Sequence, residues 1–234
     1  MTTLLIVRHG LTASTGKELT GWLPGVSLYD RGQQQAAAVA AKLAALPLAA
    51  IVSSPLERCQ QTATIIGTGQ PGAGVPVQTD DRIGECKYGD WTGKPLRQLA
   101  RDPLWRVVQA HPSAVRFPGE HGESIPEMQQ RAVSAVRDWN CRLGPDAVYL
   151  ICSHGDVIKA ILADALGMHL DMLQRIQVDP CSLSIVSYTT LRPFVLRLND
   201  IGADPAGLAA LVVRRRKRRA AAETDAQVGG GAGI

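Results

Sequence analysis

A chain of 234 residues, 45% apolar and 20% charged, has the length for one sizeable α/β domain and the composition of an ordinary soluble globular protein; with aromatics at 4%, its core must be built from Ala, Val, Leu and Ile. The formal net charge of +4 invites a nucleic-acid function, but six basic residues fall in one run, Arg214 to Arg219, and the rest of the chain is slightly acidic, which excludes a polycationic body. Scattered cysteines (Cys59, Cys86, Cys141, Cys152, Cys181) without CxxC spacing argue against a zinc site or a disulfide framework, and the lack of a signal-like N-terminus or an 18-residue apolar stretch leads us to expect a cytoplasmic protein.

LLIV (Leu4 to Val7) reads as a fully apolar strand of the kind buried inside a parallel sheet. The alanine-rich segment that begins at Asp30 repeats Ala36, Val39, Ala40, Leu43 and Leu46 at helical spacing, and AAIVSS (Ala49 to Ser54) is a second apolar strand. Strand, helix and strand in series imply a parallel sheet with crossover helices. A helix is expected next, with Ser54 as its cap and Pro55 in its first turn.

Residues 67–76 and 117–127 have loop composition, and the intervening 77–116 predict a short strand and one or two helices. Ser124 and Glu127 have capping-box spacing, starting a helix whose stripe (Ile125, Met128, Ala132, Val136, Trp139, Leu143) ends near Leu143. AVYLICS (Ala147 to Ser153) is a third buried strand, followed by a helix with Val157, Ile158, Ile161, Leu162 and Leu166 on one face and Gly167 as its stop. Leu183 to Thr189 and Phe194 to Asn199 suggest an edge hairpin, and the edge strand leaves room for a homodimer. From about residue 201 to 234 we expect a short helix and then a basic, disordered tail.

In a parallel sheet the functional crevice lies beyond the carboxyl ends of the strands. Three polar sets fall there: Arg8-His9-Gly10, Arg58, and Ser153-His154-Gly155. A cation such as Arg58 in the first turn of a helix opposes the helix dipole, a mismatch that disappears when an anion lies between them. Two guanidiniums, Arg8 and Arg58, suit a tetrahedral anion. Between them His9 has its pKa lowered and its imidazole kept neutral for attack on phosphorus, while His154 as an imidazolium would donate to the equatorial oxygens. Glu85, near Tyr88 and Trp91, is the expected proton donor, with Asp81 as its rival. A glutamic acid that must be protonated favours mildly acidic pH. No metal or other cofactor is called for, because the cationic side chains neutralise the phosphoryl charge.

These residues resemble the histidine phosphatase superfamily, in its phosphoglycerate mutase-like branch. The resemblance spans most of residues 4–190 and rests on ordered motifs: LIVRHG, YDRGQQQA, SSPLERCQQTA, the ExxYGxWxG pattern from Glu85 to Gly93, GES at Gly122 to Ser124, and CSHGDVIKAIL. It implies a three-layer α/β/α sandwich with a mainly parallel sheet, a catalytic domain over residues 1–200, and a small helical cap, about residues 85–122, over the strand ends. It also implies His9 as the phosphorylated nucleophile, Arg8, Arg58 and His154 as the phosphate pocket, and Glu85 as the acid. Thr15, Gly21 and Gly155 are taken as substrate-binding; Thr15 stands where the family often has Asn, which weakens that assignment.

The pattern DWTG after the acid loop resembles the phosphatases, whereas Cys86 and Lys87 replace residues of the glycolytic mutases. The expected function is therefore a metal-independent, acid phosphatase-like hydrolase acting on a small phosphomonoester through a phosphohistidine. The alternatives are a mutase that returns the phosphoryl group to its substrate, and a non-catalytic phosphate-binding protein. Arg97, Arg101, Arg106 and Arg116 offer candidates for reading a second negative charge, and the Arg214 to Arg219 run is the only feature that suggests nucleic acid.

Overall fold

The computed structural model describes residues 1–72 and 74–202. Its six strands are β1 (Thr2–Arg8), β2 (Ala50–Ser53), β3 (Val77–Thr79), β4 (Val148–Ser153), β5 (Leu183–Tyr188) and β6 (Pro193–Asp200). They form one sheet in the order β3-β2-β4-β1-β5-β6, with β1 to β4 parallel and β5 and β6 added as an antiparallel hairpin. The main helices are α1 (Asp30–Leu43), α2 (Glu57–Thr68), α3 (Leu96–Leu99), α4 (Pro103–Ala110), α5 (Ile125–Leu143) and α6 (Gly155–Ala165).

The pleat of the central strands sorts their side chains into two cores. Leu5, Val7, Ile51, Leu150 and Cys152 pack with α1 and α2 on one face. Leu4, Ile6, Val52, Tyr149 and Ile151 pack with α5 and α6 on the other. Every residue of β2 and five of six in β4 are buried, which is why these segments read as unbroken apolar runs. The fold is the expected three-layer α/β/α sandwich.

Several local expectations need correction. α2 begins at Glu57 behind Leu56, which caps without a side-chain bond, so Ser54 is not its cap and Pro55 precedes the helix. Ser54 is committed to His154, as described below. α1 stops at Leu43, leaving Leu46 exposed, and Leu166 is exposed just past α6. α6 is buried almost all round, including Asp156 and Lys159, so it lies inside the molecule rather than on its surface. The capping box of α5 forms as its spacing demands, with Ser124 and Glu127 each satisfying the other's backbone. The helix and tail expected over 201–234 lie outside the described residues, apart from 201 and 202. Among the described residues no helix is long and apolar enough to cross a membrane.

The turn after β1 is held against the start of α1 by backbone contact. A Cβ added to Gly32 would lie 2.1 Å from the Leu11 carbonyl oxygen, and one added to Gly10 would lie 2.6 Å from that of Gly32. Neither position has room for a methyl group, and backbone atoms on the other side cannot swing away. Gly32→Ala should therefore lose about 1–3 kcal/mol in urea or thermal unfolding. Unchanged stability would show that the contact is not required.

Candidate active site

The parallel strands end at one rim, where β1 delivers Arg8 and His9 and the adjacent β4 delivers Ser153 and His154. The two ends are stitched together, since the His9 amide donates to the Ser153 carbonyl at 3.0 Å. α2 enters from the neighbouring strand and places Arg58 at its second position. The loop through the 3₁₀ turn at Asp81–Ile83 brings Glu85 over the same point. All six side chains are buried, with 5% exposure or less.

His9 and His154 face each other with ring centroids 5.2 Å apart. His9 Nδ1 lies 2.8 Å from the Gly10 carbonyl oxygen, a geometry that assigns the proton to Nδ1 and leaves the Nε2 lone pair for chemistry. Arg58 Nε donates toward His9 Nε2 at 3.3 Å, and its Nη2 donates to the Gly21 carbonyl at 2.9 Å and sits 3.2 Å from His154 Nδ1. Its Nη1 is buried without a hydrogen-bond partner among the described residues. A buried guanidinium N–H with no acceptor is costly, and an anion in the pocket would satisfy it.

Burial, then Arg58 and Arg8, hold His9 well below the ordinary histidine range, which keeps the ring neutral as the sequence suggested. The same causes, burial first, lower His154, to which His9 and Arg131 add. These causes favour the neutral ring, so the imidazolium expected of His154 at the phosphate would have to draw on the negative charge of a bound anion. Its Nε2 lies 2.7 Å from Ser54 Oγ, so this hydroxyl, mistaken for a helix cap, orients the second histidine instead. Its Nδ1 is 3.7 Å from Glu85 Oε2, a contact that becomes an ion pair only when the ring is protonated.

Glu85 is pushed up to about 7, chiefly by burial and next by the Asp156 carboxyl, against the pull of Arg58, a bond from the Cys86 amide, and Arg8. The expected direction holds, but the cover differs. Tyr88 lines the pocket beside Glu85, whereas Trp91 is turned into the core with its indole donating to Asp102. It is Trp22 that holds the acid loop, donating to the Glu85 carbonyl at 2.5 Å. Asp81 is exposed and does not line the pocket.

Other expected residues divide. Thr15 and Gly21 line the pocket, and the Gly21 carbonyl anchors Arg58. Gly155 does not line it; it opens α6 behind His154. Arg97, Arg101 and Arg106 are exposed, Arg116 pairs with Glu127, and none of the four reaches the pocket lining. Among the described residues no group of three His, Cys, Asp or Glu side chains is placed to hold a metal ion.

Two supports were not visible in the sequence. Arg131, on the flank of the α5 stripe, donates to the carbonyls of Arg82, Gly84 and Glu85 and pairs with Glu123, so one guanidinium fastens the acid loop. Asp156 accepts from the Tyr88 hydroxyl at 2.9 Å and lies 3.3 Å from Lys159 Nζ, all buried beneath Glu85. Only pairing within the fold distinguishes Asp156 from an ordinary acidic residue in a first helical turn. Asp156→Asn should remove a charge that raises Glu85 while leaving Arg8 and Arg58 in place. The alkaline limb of the kcat/KM profile is expected to move about one pH unit toward acid. A limb that stays put would separate Asp156 from the acid.

The model of the histidine phosphatase superfamily, branch 1, matches residues 4–201. The chain belongs to that superfamily. A glucosyl-3-phosphoglycerate phosphatase of Mycolicibacterium vanbaalenii is 33% identical over 177 residues, covering 72% of this chain and 76% of the relative. A probable phosphoglycerate mutase GpmB of Cronobacter sakazakii is 29% identical over 80% of this chain and 86% of its own length. Among solved structures, Bacillus stearothermophilus YhfR superposes with a TM-score of 0.77 at 28% identity, over 86% of this chain and 98% of that one. Membership brings with it an enzyme that hydrolyses or transfers phosphoryl groups. Neighbours named for both outcomes leave the choice to the pocket.

Proposed function

We propose that the protein is a phosphomonoesterase that needs no metal and works through a phosphohistidine on His9. The observation that carries this is the pairing of a neutral, singly oriented His9, whose Nε2 is free of any proton, with a buried Arg58 N–H that has no acceptor among the described residues. The substrate phosphate would bridge Arg8 and Arg58. His9 Nε2 attacks phosphorus, the ester P–O bond breaks, and Glu85 gives its proton to the departing oxygen. Water then enters; the ionised Glu85 takes one of its protons, the new P–O bond forms as the P–N bond breaks, and inorganic phosphate leaves. A bound phosphate dianion would favour the protonated form of His154 and turn it into the donor its position suggests.

A Glu85 that titrates near 7 is protonated below that pH and loses its proton as pH rises through it. Turnover should accordingly be highest in mildly acidic to neutral solution. Residues 85–122, which carry Glu85, Tyr88 and the helices α3 and α4, act on this scheme as the cap of a catalytic domain spanning 1–200, in a cytoplasmic enzyme. Rapid acid-free quenching with a labelled phosphomonoester should trap a phosphoryl group on His9, and EDTA should leave the rate unchanged. Rate loss with EDTA, or label on another residue, would overturn the mechanism. Conversion of 3-phosphoglycerate to 2-phosphoglycerate, instead of release of phosphate, would make it a mutase.

A further inference from the structure

Beyond the groups assigned to phosphoryl chemistry, the pocket wall consists mainly of Thr12, Thr15, Glu18, Leu19, Thr20 and Leu96. Among the described residues Arg8, with Arg58 buried behind it, is the single cationic side chain in the lining, and it sits at the phosphate end, where its Nη1 also donates to the Val178 carbonyl. Among the described residues no other cationic side chain lines the outer part, where the remainder of a substrate would lie. What stands there is a carboxylate. Glu18 is exposed at the mouth and makes no side-chain hydrogen bond or ion pair among the described residues. Its segment is pinned rather than loose: its amide donates to the Ser14 carbonyl at 3.2 Å, it bridges Pro95, and the Leu96 amide donates to the Lys17 carbonyl at 2.9 Å.

We propose that the leaving group of the natural substrate is an uncharged polyol, and that Glu18 sets this preference. The inference rests on the phosphatase function proposed above. A leaving group with its own carboxylate or second phosphate would bring an anion to a wall where the described residues supply one like charge and no counter-charge, so Glu18 acts against it. A polyol is suited to the same wall. Its hydroxyls donate to the Glu18 carboxylate and accept from threonines. The Thr12 and Thr15 hydroxyls are 2.9 Å apart and share one bond, and Thr15 Oγ1 also accepts from the Thr12 amide. Two hydroxyls carry two protons and their mutual bond uses one, so a donor is left over for the ligand. Leu19 and Leu96 supply apolar wall for the C–H surface of such a molecule. A cationic amine would satisfy Glu18 but leave the remaining threonine O–H facing no acceptor.

The test compares kcat/KM for glucose 6-phosphate and sorbitol 6-phosphate with that for 3-phosphoglycerate and for phosphoethanolamine, in the full chain and in Glu18→Lys. At least one polyol phosphate should exceed both charged competitors by about tenfold or more, and Glu18→Lys should shrink the advantage over 3-phosphoglycerate by a similar factor. Preference is a ratio measured within one protein, so a general loss of activity in the variant cancels. Equal or better use of 3-phosphoglycerate or phosphoethanolamine, failure to cleave either polyol phosphate, or a ratio indifferent to Glu18→Lys would overturn the proposal. If p-nitrophenyl phosphate is still hydrolysed through a phosphoenzyme, only the polyol assignment falls. If it is not, the phosphatase function falls as well.

Discussion

His9→Ala should abolish turnover of every phosphomonoester, with kcat/KM lower by a factor on the order of 10⁴ or more, and no phosphoenzyme should be trapped. Nothing else in the pocket can replace it. His154 lies with its ring centroid 5.2 Å from that of His9 and has both ring nitrogens engaged, Nε2 with Ser54 and Nδ1 with Arg58. The buried arginines survive the substitution, so inorganic phosphate or vanadate should still bind, within about tenfold of the parent affinity, when measured by calorimetry. The variant should also fold. His9 is held neutral against its ordinary pKa by burial and two cations, a state maintained for chemistry rather than stability. Hydrolysis above about one per cent of the parent rate, in a variant that binds phosphate, would move the nucleophile elsewhere.

That His9 and His154 belong together was legible from the chain because both follow fully apolar strands, and the carboxyl ends of the strands of one parallel sheet lie along one rim. β1 and β4 are in fact paired from Thr3 with Val148 to Arg8 with Ser153. Arg58 was legible through a local conflict, a cation in a first helical turn. What stayed hidden shares a different character. Arg131 acts by bonding three backbone carbonyls of another element, and a carbonyl has no letter in the sequence. Asp156 takes its meaning from burial of a helix on all sides, which a striped pattern does not reveal. Ser54 was visible, but assigned to the nearest helix when its partner lies 100 residues on.

Arg131 and Asp156 converge on the Glu85 loop, the first by holding it and the second by raising the pKa of its carboxyl. Residues 82–85 are fastened from α5 by Arg131 and from the segment after β1 by Trp22, and a Cβ on Gly84 would strike the Trp22 ring at 2.4 Å. Glu123, which pairs with Arg131, also accepts from the Lys87 amide at 2.7 Å, so both sides of Glu85 are tied to one ion pair. On the proposed mechanism the nucleophile, His9, directly follows strand β1 and needs little support, whereas an acid delivered by a loop depends on such fastening for its position.

Glu85→Gln tests that division of labour. Glutamine keeps the shape of the side chain, and its carbonyl oxygen can still accept the Cys86 amide, which Glu85 Oε1 does at 2.9 Å. It has no acidic proton to give and no charge with which to take one. With an alkyl phosphate the departing alkoxide then leaves unprotonated, and kcat/KM should fall by about 10²–10⁴. With p-nitrophenyl phosphate the phenolate leaves unaided, so the first step should proceed nearly as before, while water attack on the phosphoenzyme loses its base. The expected record is a burst of p-nitrophenol equal to one equivalent of enzyme, followed by slow turnover and an accumulated phosphohistidine. The alkaline limb near pH 7 should vanish with the carboxyl that titrates there. Equal losses on both substrates without a burst would mean that Glu85 serves the pocket in some way other than proton transfer, because only an acid that is also the base of the second step separates the two.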